Sequence, residues 1–401
     1  MIRAGAGISG APDSPTAAKA AVGAAMSSAG LERASLLLLF VTAEHLPNWP
    51  GVAAAAAECA GGARVVGCTG YGVLTAGEEI EGTPGIAALA LGEEGLPAAP
   101  FLTGDLREDP AECGREAGRQ ARDVLGDALD SDGPPLAVIL PDSYNLQAKP
   151  FFAGLHETLG PEAVIVGGGA SENGALGRTF QFLDKRIETN AVSGVVFAGG
   201  AARFIGISQA YQPVGEARMI TRAEENLIYE ISGRPAFEAF AKAAGPELME
   251  NHRRAAMSLF LGFPGDPDRT VLDHGNYIVR PVVGLDPESG AIALAEAAVV
   301  GQPVTFTRRE GGRARTDLEN MLDKGMARLA DAAFGLYFNC TGRGISLYGE
   351  KGVDAEAIRR RVGGLPVVGF FTGAEFAPIG PIDHLHQYSG VLVLLGERGS
   401  P

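Results

Sequence analysis

The sequence predicts an α/β fold, with α+β as the alternative, in two domains built from repeated strand–helix–strand–loop–strand units with mixed, largely parallel sheets. Two observations support this. An apolar strand, a helix-length segment, a second strand with a glycine-rich end, a loop and a third apolar strand follow one another three times along the chain. The length of 401 residues also exceeds one ordinary hydrophobic core, which favours two domains, with three as the alternative.

Composition indicates a folded protein with many tight turns, because 46% of the residues are hydrophobic, 20% are charged and 57 are glycine. The net charge of −15 would repel phosphate backbones and anionic membrane surfaces, so we expect no nucleic-acid partner. The longest clean apolar run, residues 36–41, is much shorter than the roughly 20 residues of a membrane helix, so we expect no membrane association.

The four cysteines stand far apart without paired spacing, which favours a reducing compartment and predicts a cytoplasmic protein. For the domain organisation, we predict an N-terminal lead-in over residues 1–31 with one alanine-rich helix, a first domain over residues 32–218 and a second over residues 219–401.

The first copy of the repeat has predicted strands over residues 36–40, 63–72 and 85–92, with a helix-length segment from Asn48 between the first two. A strand, a crossover helix and a second strand make parallel neighbours with a right-handed connection. Both strands of such a pair therefore end at the same edge of the sheet.

The second and third copies repeat this order. The second has strands over residues 136–143, 163–171 and 192–200 and a helix from Ala148; the third has strands over residues 334–344, 366–375 and 389–396 and a helix from Asp354. Between them, strands are predicted around Ile205 and over residues 219–231, followed by a helix with Pro235 in its first turn. Thr316 and Glu319 predict a capping box at the start of a further helix.

The loops after the paired strands carry small and polar residues in all three copies. They read VTAEH and CTGYG in the first copy, PDSYN and GGASEN in the second, and NCTGRG and FFTGAE in the third. Ligands of open α/β sheets bind beyond the carboxyl ends of parallel strands. We therefore predict that these loop tips meet in a common pocket for a small polar molecule.

Several longer runs resemble a known family. They are VVGCTGYGVLTAGEEIEG, VIVGGGAS, VSGVVFAGG, ITRAEENLIYEISGRPA, GQPVTFTRREG, FNCTGRG and PVVGFFTGAEFAPIG. In this order, over nearly the whole chain, they resemble the two-part FIST sensory domain of bacterial signalling proteins, which is also similar to the C-terminal part of a eukaryotic F-box protein.

This resemblance implies a small-ligand sensor, with amino acids or related metabolites as ligands, that acts through a signalling partner such as a histidine kinase. The sequence itself carries no kinase, receptor or F-box motif. Some relatives in the family are haem-binding nitric-oxide sensors, so haem is the alternative cofactor to none at all. A Cys-x-x-Cys-His motif is lacking, and His45, after the first strand, is the first histidine to test.

We predict nine ligand-binding residues at the strand edges: Cys68, Thr69, Gly168, Ser171, Arg280, Cys340, Arg343, Thr372 and Glu375. Cys68 precedes a glycine-rich turn whose N–H groups could lower the pKa of a solvent-facing thiol, and a guanidinium beside Cys340 would favour its thiolate. A thiol redox sensor is therefore an alternative function. The other interpretation is that both cysteines are small packing residues.

Charged candidates have two interpretations. Arg280 and Arg343 stand in apolar strand contexts, where each could clamp a ligand carboxylate or form a structural ion pair with Asp286 or Glu375. Glu375 stands among phenylalanines and could receive a ligand's amine.

We predict neither catalytic residues nor a metal site, and hence no enzyme. Cys340 and Ser143 are the possible nucleophiles, but no base or nucleophile elbow accompanies them. His384 and His386 would share one face of a strand, which makes metal binding conceivable, but an isolated pair of this kind is more often structural.

Overall fold

The computed structural model describes residues 1–93, 95–129, 133–266 and 276–397, and these fall into two units. The first unit comprises Met1–Ser208, Leu318–Pro378 and Tyr388–Pro401, and the second comprises Gln209–Asp317 and Ile379–Gln387. This division differs from the sequence-based boundary between residues 218 and 219. The chain leaves the first unit earlier, after Ser208, and returns to it at Leu318, ahead of the third copy of the repeat.

The strands and helices up to the end of the first passage through this unit are β1 (Ala4–Ser9), α1 (Ser14–Ala29), β2 (Leu36–Thr42), α2 (Trp49–Cys59), β3 (Arg64–Gly70), β4 (Gly72–Thr75), β5 (Glu78–Glu81), β6 (Ile86–Leu91), β7 (Ala98–Thr103), α3 (Pro110–Leu125), β8 (Leu136–Pro141), α4 (Ala148–Leu159), β9 (Val164–Gly168), β10 (Gln181–Leu183), β11 (Arg186–Glu188), β12 (Val192–Phe197) and β13 (Ala202–Gln209). Two 3₁₀ helices cover Ala43–Asn48 and Gly126–Ala128.

The elements that follow are β14 (Tyr211–Glu224), β15 (Leu227–Ile231), β16 (Arg234–Pro235), α5 (Ala236–Ala244), α6 (Pro246–Met249), α7 (His252–Ser258), β17 (Leu259–Pro264), β18 (Tyr277–Asp286), β19 (Ala291–Leu294), β20 (Pro303–Arg309), α8 (Gly311–Arg328), β21 (Ala332–Cys340), α9 (Ile345–Tyr348), α10 (Val353–Val362), β22 (Val367–Thr372), β23 (Glu375–Ile379), β24 (Ile382–His386) and β25 (Ser389–Gly396).

The three predicted copies fold with the same strand directions. In each, the first two strands are parallel (β2–β3, β8–β9 and β21–β22) and the third strand runs antiparallel to the first (β6, β12 and β25). The crossover helices α2, α4 and α10 stand where the sequence predicts them. The mixed α/β architecture is confirmed, with antiparallel pairing wherever a strand returns without a crossover helix.

The three copies are interlocked by a cyclic exchange of hairpins. After its second strand, the first copy sends β4 to pair with β22 of the third copy. The third copy sends β23 to pair with β9 of the second, and the second sends β10 to pair with β3 of the first. Within the first unit, the strands form three sheets in the orders β1-β6-β2-β3-β10-β11, β23-β9-β8-β12-β7 and β13-β25-β21-β22-β4-β5.

The N-terminal segment belongs to the first of these sheets and is not a lead-in outside it. β1 pairs antiparallel with β6, and α1 packs on β1 so closely that only glycine fits at two strand positions. A Cβ atom would lie 2.2 Å from the Ala25 carbonyl oxygen at Gly5, and 2.2 Å from that of Ala21 at Gly7. The helix α1 therefore packs directly against the backbone of β1.

One apolar core joins all three sheets of the first unit. Phe40 stacks on Phe370 with ring centroids 4.5 Å apart, and Phe338 meets Phe370 edge-on at 6.0 Å. Phe40 belongs to the first copy and the other two rings to the third. The copies therefore share this buried core.

The second unit contains a sheet of seven strands in the order β14-β20-β17-β18-β19-β15-β16, with an additional β14–β15 pairing. Phe240 of α5 packs edge-on against Phe306 of β20 in its core. The helix α8 begins at Gly311, in the second unit, so the capping box predicted at Thr316 is wrong. Glu310 instead accepts hydrogen bonds from the first N–H groups of the helix, and the Thr316 hydroxyl donates to the Gly312 carbonyl.

Among the residues described, no helix combines the length and the apolar character needed to cross a membrane.

Candidate functional site

A cavity of about 660 Å³ lies in the first unit where loops of all three copies meet. The first copy contributes Tyr71 and Glu81; the second contributes Ser143, Tyr144, Ala170, Ser171, Glu172 and Asn173; the third contributes Thr341, Ile345, Ser346 and Gly373. Five of the six strand-edge loops thus converge as predicted. The sixth, VTAEH after β2, does not line the cavity.

Backbone hydrogen bonds across the copies hold these loops together. The Gly169 N–H donates to the Ala374 carbonyl at 2.8 Å, and the Gly373 N–H donates to the Gly169 carbonyl at 2.9 Å. The Ser171 N–H donates to the Thr69 carbonyl at 3.1 Å. The loops that follow the second strands are therefore tied to one another at the points where the hairpins are exchanged.

The Ser171 hydroxyl links all three copies. It accepts a hydrogen bond from the Tyr71 N–H at 2.8 Å and donates one to the Phe371 carbonyl. Tyr71 belongs to the first copy and Phe371 to the third, so this one side chain joins the three loops at the cavity wall. Ser171 is one of the nine predicted site residues, and it lines the cavity.

Asp142 orders the loop after β8, and sequence reasoning did not single it out. Its buried carboxylate accepts hydrogen bonds from the Tyr144 N–H at 3.0 Å, the Asn145 side chain at 2.8 Å, the Thr179 hydroxyl at 2.9 Å and the Asn190 N–H at 3.1 Å. An aspartate that directly follows a buried strand and precedes an asparagine by three residues is a signal for such a turn.

Two buried carboxylates line the cavity, and neither was among the predicted site residues. Burial raises the pKa of Glu172, but hydrogen bonds from the Tyr144 hydroxyl at 2.6 Å and the Leu176 N–H at 3.0 Å outweigh it and hold this pKa below its usual value. Burial raises the pKa of Glu81, which accepts a hydrogen bond from the Ile345 N–H at 3.1 Å. The other lining residues are uncharged.

Ser143, a possible nucleophile by its sequence context, also lines the cavity. Its Oγ is buried and has no hydrogen-bond partner among the residues described. Glycine is required opposite it, because a Cβ atom would lie 2.2 Å from this oxygen at Gly169 and 2.5 Å from it at Gly373. The two glycines leave room for the hydroxyl but supply no acceptor or donor to its side chain.

Most of the other predicted residues lie in the strands that surround the cavity, not in its lining. Cys68 and Thr69 are in β3, Gly168 ends β9, Thr372 ends β22 and Cys340 ends β21. The expectation of a solvent-facing Cys68 is wrong, since the side chain is 0% exposed and burial raises the pKa of its thiol. These residues build the wall behind the loops.

The thiol of Cys340 also has a raised pKa where a lowered one was predicted. Burial and the nearby Glu375 carboxylate raise the pKa of its thiol, so the expected thiolate beside Arg343 is wrong. Glu375 is itself buried; it accepts hydrogen bonds from the Thr372 and Ser389 hydroxyls, and burial raises its pKa to about 7.

Arg343 forms a buried ion pair, but with neither predicted partner. Its guanidinium Nε lies 2.9 Å from Asp354 Oδ2 at the start of α10, and Nη2 donates to the Tyr348 hydroxyl at 2.8 Å. Both charged side chains are at most 1% exposed. The pair anchors the loop whose residues Thr341 and Ser346 line the cavity, so Arg343 positions the loop from behind.

Arg280 belongs to the second unit and does not line the cavity of the first. Its Nε lies 2.5 Å from Glu296 Oε1, and Nη1 donates to the Leu385 carbonyl at 3.1 Å. The predicted partner, Asp286, instead accepts hydrogen bonds within its own turn, including one from the Ser289 hydroxyl.

The histidines considered for haem or metal also lie outside the cavity lining. His45 is buried, Nδ1 lies 3.1 Å from the Ser14 hydroxyl, and burial lowers the pKa of the ring. His384 and His386 belong to the second unit, where His384 Nε2 lies 2.7 Å from the Gly265 carbonyl oxygen. Within the described ranges no three His, Cys, Asp or Glu residues are placed to hold a metal ion.

Comparison with known proteins gives two family matches and several relatives. The model of the FIST N domain matches residues 35–234, and that of the FIST C domain matches residues 236–378. An uncharacterised protein of Mycobacterium tuberculosis is 27% identical over 394 residues, covering 98% of this chain and 99% of the relative. An uncharacterised protein of Mycobacterium bovis is 29% identical over 396 residues, covering 98% of each chain.

Among solved structures, the crystal structure of cyanuric acid hydrolase from A. caulinodans is similar over 99% of this chain and 100% of that chain. The identity is 10% and the TM-score 0.39, a likeness too weak to support an argument about fold or function.

Proposed function

The chain belongs to the FIST family of small-ligand sensory domains in signal transduction, and on that premise we propose that it is a cytoplasmic bacterial sensor for an amino acid or a related small metabolite. The observation that carries the proposal is the cavity of about 660 Å³ at the junction of the three copies. Its volume falls within the range of small-molecule sites in proteins.

The lining supports recognition of a polar molecule. It combines the hydroxyls of Ser143, Ser171, Thr341 and Ser346 with two carboxylates. Hydrogen bonds and an ion pair hold the surrounding loops, so the site is largely formed before a ligand arrives, and less binding energy is spent on ordering the loops.

We further propose that the protein binds its ligand without chemical turnover and without a cofactor. Ser143 is the hydroxyl nearest to the role of a nucleophile, but its Oγ has no hydrogen-bond partner within the described residues and hence no activating base. The output would pass to a separate or fused partner such as a histidine kinase.

The alternatives have less support. A thiol redox sensor needs an accessible thiolate, whereas Cys68 and Cys340 are buried with raised thiol pKa values. For haem, His45 is buried against Ser14 and is not part of the cavity lining. A visible spectrum of the purified protein, before and after addition of haem, tests this alternative directly.

A thermal-shift screen of amino acids and their metabolites tests the leading proposal. A ligand at a hundredfold excess over its Kd stabilises the protein by about 2.7 kcal/mol. Ser346→Trp would fill the cavity from an exposed lining position and should abolish the shift, whereas Ser28→Trp, at an exposed position of α1 outside the lining, should retain it. A shift that survives Ser346→Trp, or the absence of any shift across the panel, would reject this cavity as the sensory site.

A further inference from the structure

The charges of the cavity lining are all of one sign. Glu81 and Glu172 are 4% and 9% exposed, and the described residues of the lining include no lysine, arginine or histidine. Burial raises the pKa of Glu81, and the positive charge of Lys351 acts against this rise, but this lysine is exposed and outside the lining. A molecule in the cavity therefore meets two carboxylates and no cationic side chain.

The two carboxylates are supplied with hydrogen bonds unequally. Both oxygens of Glu172 have donors, one from Tyr144 and one from Leu176. One oxygen of Glu81 accepts from the Ile345 N–H, and the structure gives the other no donor within the described residues. A buried carboxylate with an unfilled hydrogen-bonding position is costly unless a cation or a donor fills it.

The Ser143 side chain also lines the cavity, and its buried Oγ, enclosed between Gly169 and Gly373, has no acceptor or donor among the described residues. Tyr71 and Tyr144 add two aromatic side chains to the lining. Carboxylates, a hydroxyl and aromatic rings together are the groups that bind ammonium ions in proteins.

A ligand carboxylate, by contrast, would meet no cationic side chain in the part of the lining that the structure describes. The guanidinium of Arg343, the predicted clamp, is held by Asp354 and is not part of the lining. A carboxylate placed beside Glu81 and Glu172 would be repelled by both.

Resting on the proposed sensory function, we propose that the ligand of this cavity is a cationic amine without a carboxylate: a diamine, or an amino acid that has lost its carboxyl group. Its ammonium group donates a hydrogen bond to the free carboxylate oxygen of Glu81. The positive charge of the ligand also balances the negative charge of Glu172. The proposed class of ligands is thereby narrowed from amino acids in general to amines of net positive charge.

Titration calorimetry on the full chain with four molecules of similar length tests this inference. The probes are 1,5-diaminopentane, 1-pentylamine, lysine and glutarate. We expect the diamine to bind tightest and lysine about tenfold or more weaker, since one unpaired buried charge is worth at least 1.4 kcal/mol. Glutarate should not bind. This comparison uses the unaltered protein, so it does not depend on whether any variant folds.

Glu81→Gln and Glu172→Gln should each weaken diamine binding by about tenfold or more. Glu78→Gln is the matched control, because this exposed residue lies on the same strand β5, carries the same charge and is outside the lining. It should leave the affinity unchanged.

Tighter binding of lysine than of the diamine would overturn this inference and leave the proposed function standing. Equal losses in the Glu78 and Glu81 variants would likewise overturn it, as would binding of Ca²⁺ or Mg²⁺ alone in competition with the diamine. If no probe binds, and Ser346→Trp abolishes the thermal shift of no molecule in the wider screen, the proposed function is wrong as well.

Discussion

Replacement of Glu375 by glutamine should change how the stability of the first unit depends on pH. This carboxyl is fully buried in β23, and burial raises its pKa from 4.5 to about 7 although the hydroxyls of Thr372 and Ser389 donate to it. Glutamine keeps the size of the side chain but cannot ionise. The variant therefore isolates the free energy of ionising this one buried group.

The sign follows from proton binding. Below pH 4.5 the carboxyl of Glu375 is protonated in both the folded and the unfolded chain. Between pH 4.5 and about 7 the unfolded chain releases this proton while the folded chain keeps it, so the free energy of unfolding falls as pH rises. The shift corresponds to about 3 kcal/mol, reached near pH 7 and constant above it.

Denaturant unfolding followed by tryptophan fluorescence measures this effect. Trp49 is the single tryptophan of the chain, is 4% exposed and belongs to the same unit as Glu375. Relative to the wild type, Glu375→Gln should gain about 3 kcal/mol between pH 4.5 and pH 8. A difference that stays constant with pH, or that changes in the opposite direction, would refute the argument that burial dominates the ionisation of this group.

Three further outcomes follow from the packing. Arg343→Met should cost about 3–5 kcal/mol of stability in the same assay, because it leaves the buried Asp354 carboxylate without its counter-charge, although the Tyr337 and Tyr348 hydroxyls still donate to it, and replacing both residues by apolar ones should recover most of that loss. Gly168→Ala should cost about 1–3 kcal/mol, since its Cβ would lie 2.4 Å from Thr372 Cγ2, whereas Gly364→Ala, with no atom within 4 Å, should cost much less. In the folded protein an alkylating reagent should modify the half-buried Cys59 quickly and the three buried cysteines only after unfolding, which mass spectrometry would detect; rapid labelling of more than one thiol would contradict the burial.

The sequence predicted the elements whose pattern is local. The crossover helices α2, α4 and α10 and the strands on either side of them have apolar runs of the right length, bounded by glycine, and all are found. Within each copy, the meeting of the two strand-edge loops also followed from topology, because parallel strands joined by a right-handed crossover must end at one edge. The family assignment rested on motifs in a fixed order, and it is confirmed.

The features that escaped prediction depend on distant parts of the chain. Nothing local in the sequence indicates that β4 pairs with β22 or that β10 pairs with β3. The partner of Arg343 was missed for a related reason. Asp354 was predicted to begin a helix, but the sequence does not show that its side chain points toward Arg343. Glu81 belongs to a short, mostly charged segment of the sequence, which gives no local sign of burial. Its burial at the cavity depends on the third copy, whose Ile345 N–H donates a hydrogen bond to it.

The exchange of hairpins determines which fragments of the chain can fold and at what point during synthesis folding can be completed. A fragment that ends at residue 234, where the match to the FIST N domain stops, retains β4 and β9 but lacks β22 and β23, with which they pair. Bare strand edges invite intermolecular pairing, so we expect such a fragment to aggregate, and two complementary halves expressed together to assemble. On the ribosome, the cavity cannot form until its most C-terminal lining residue, Gly373, has emerged.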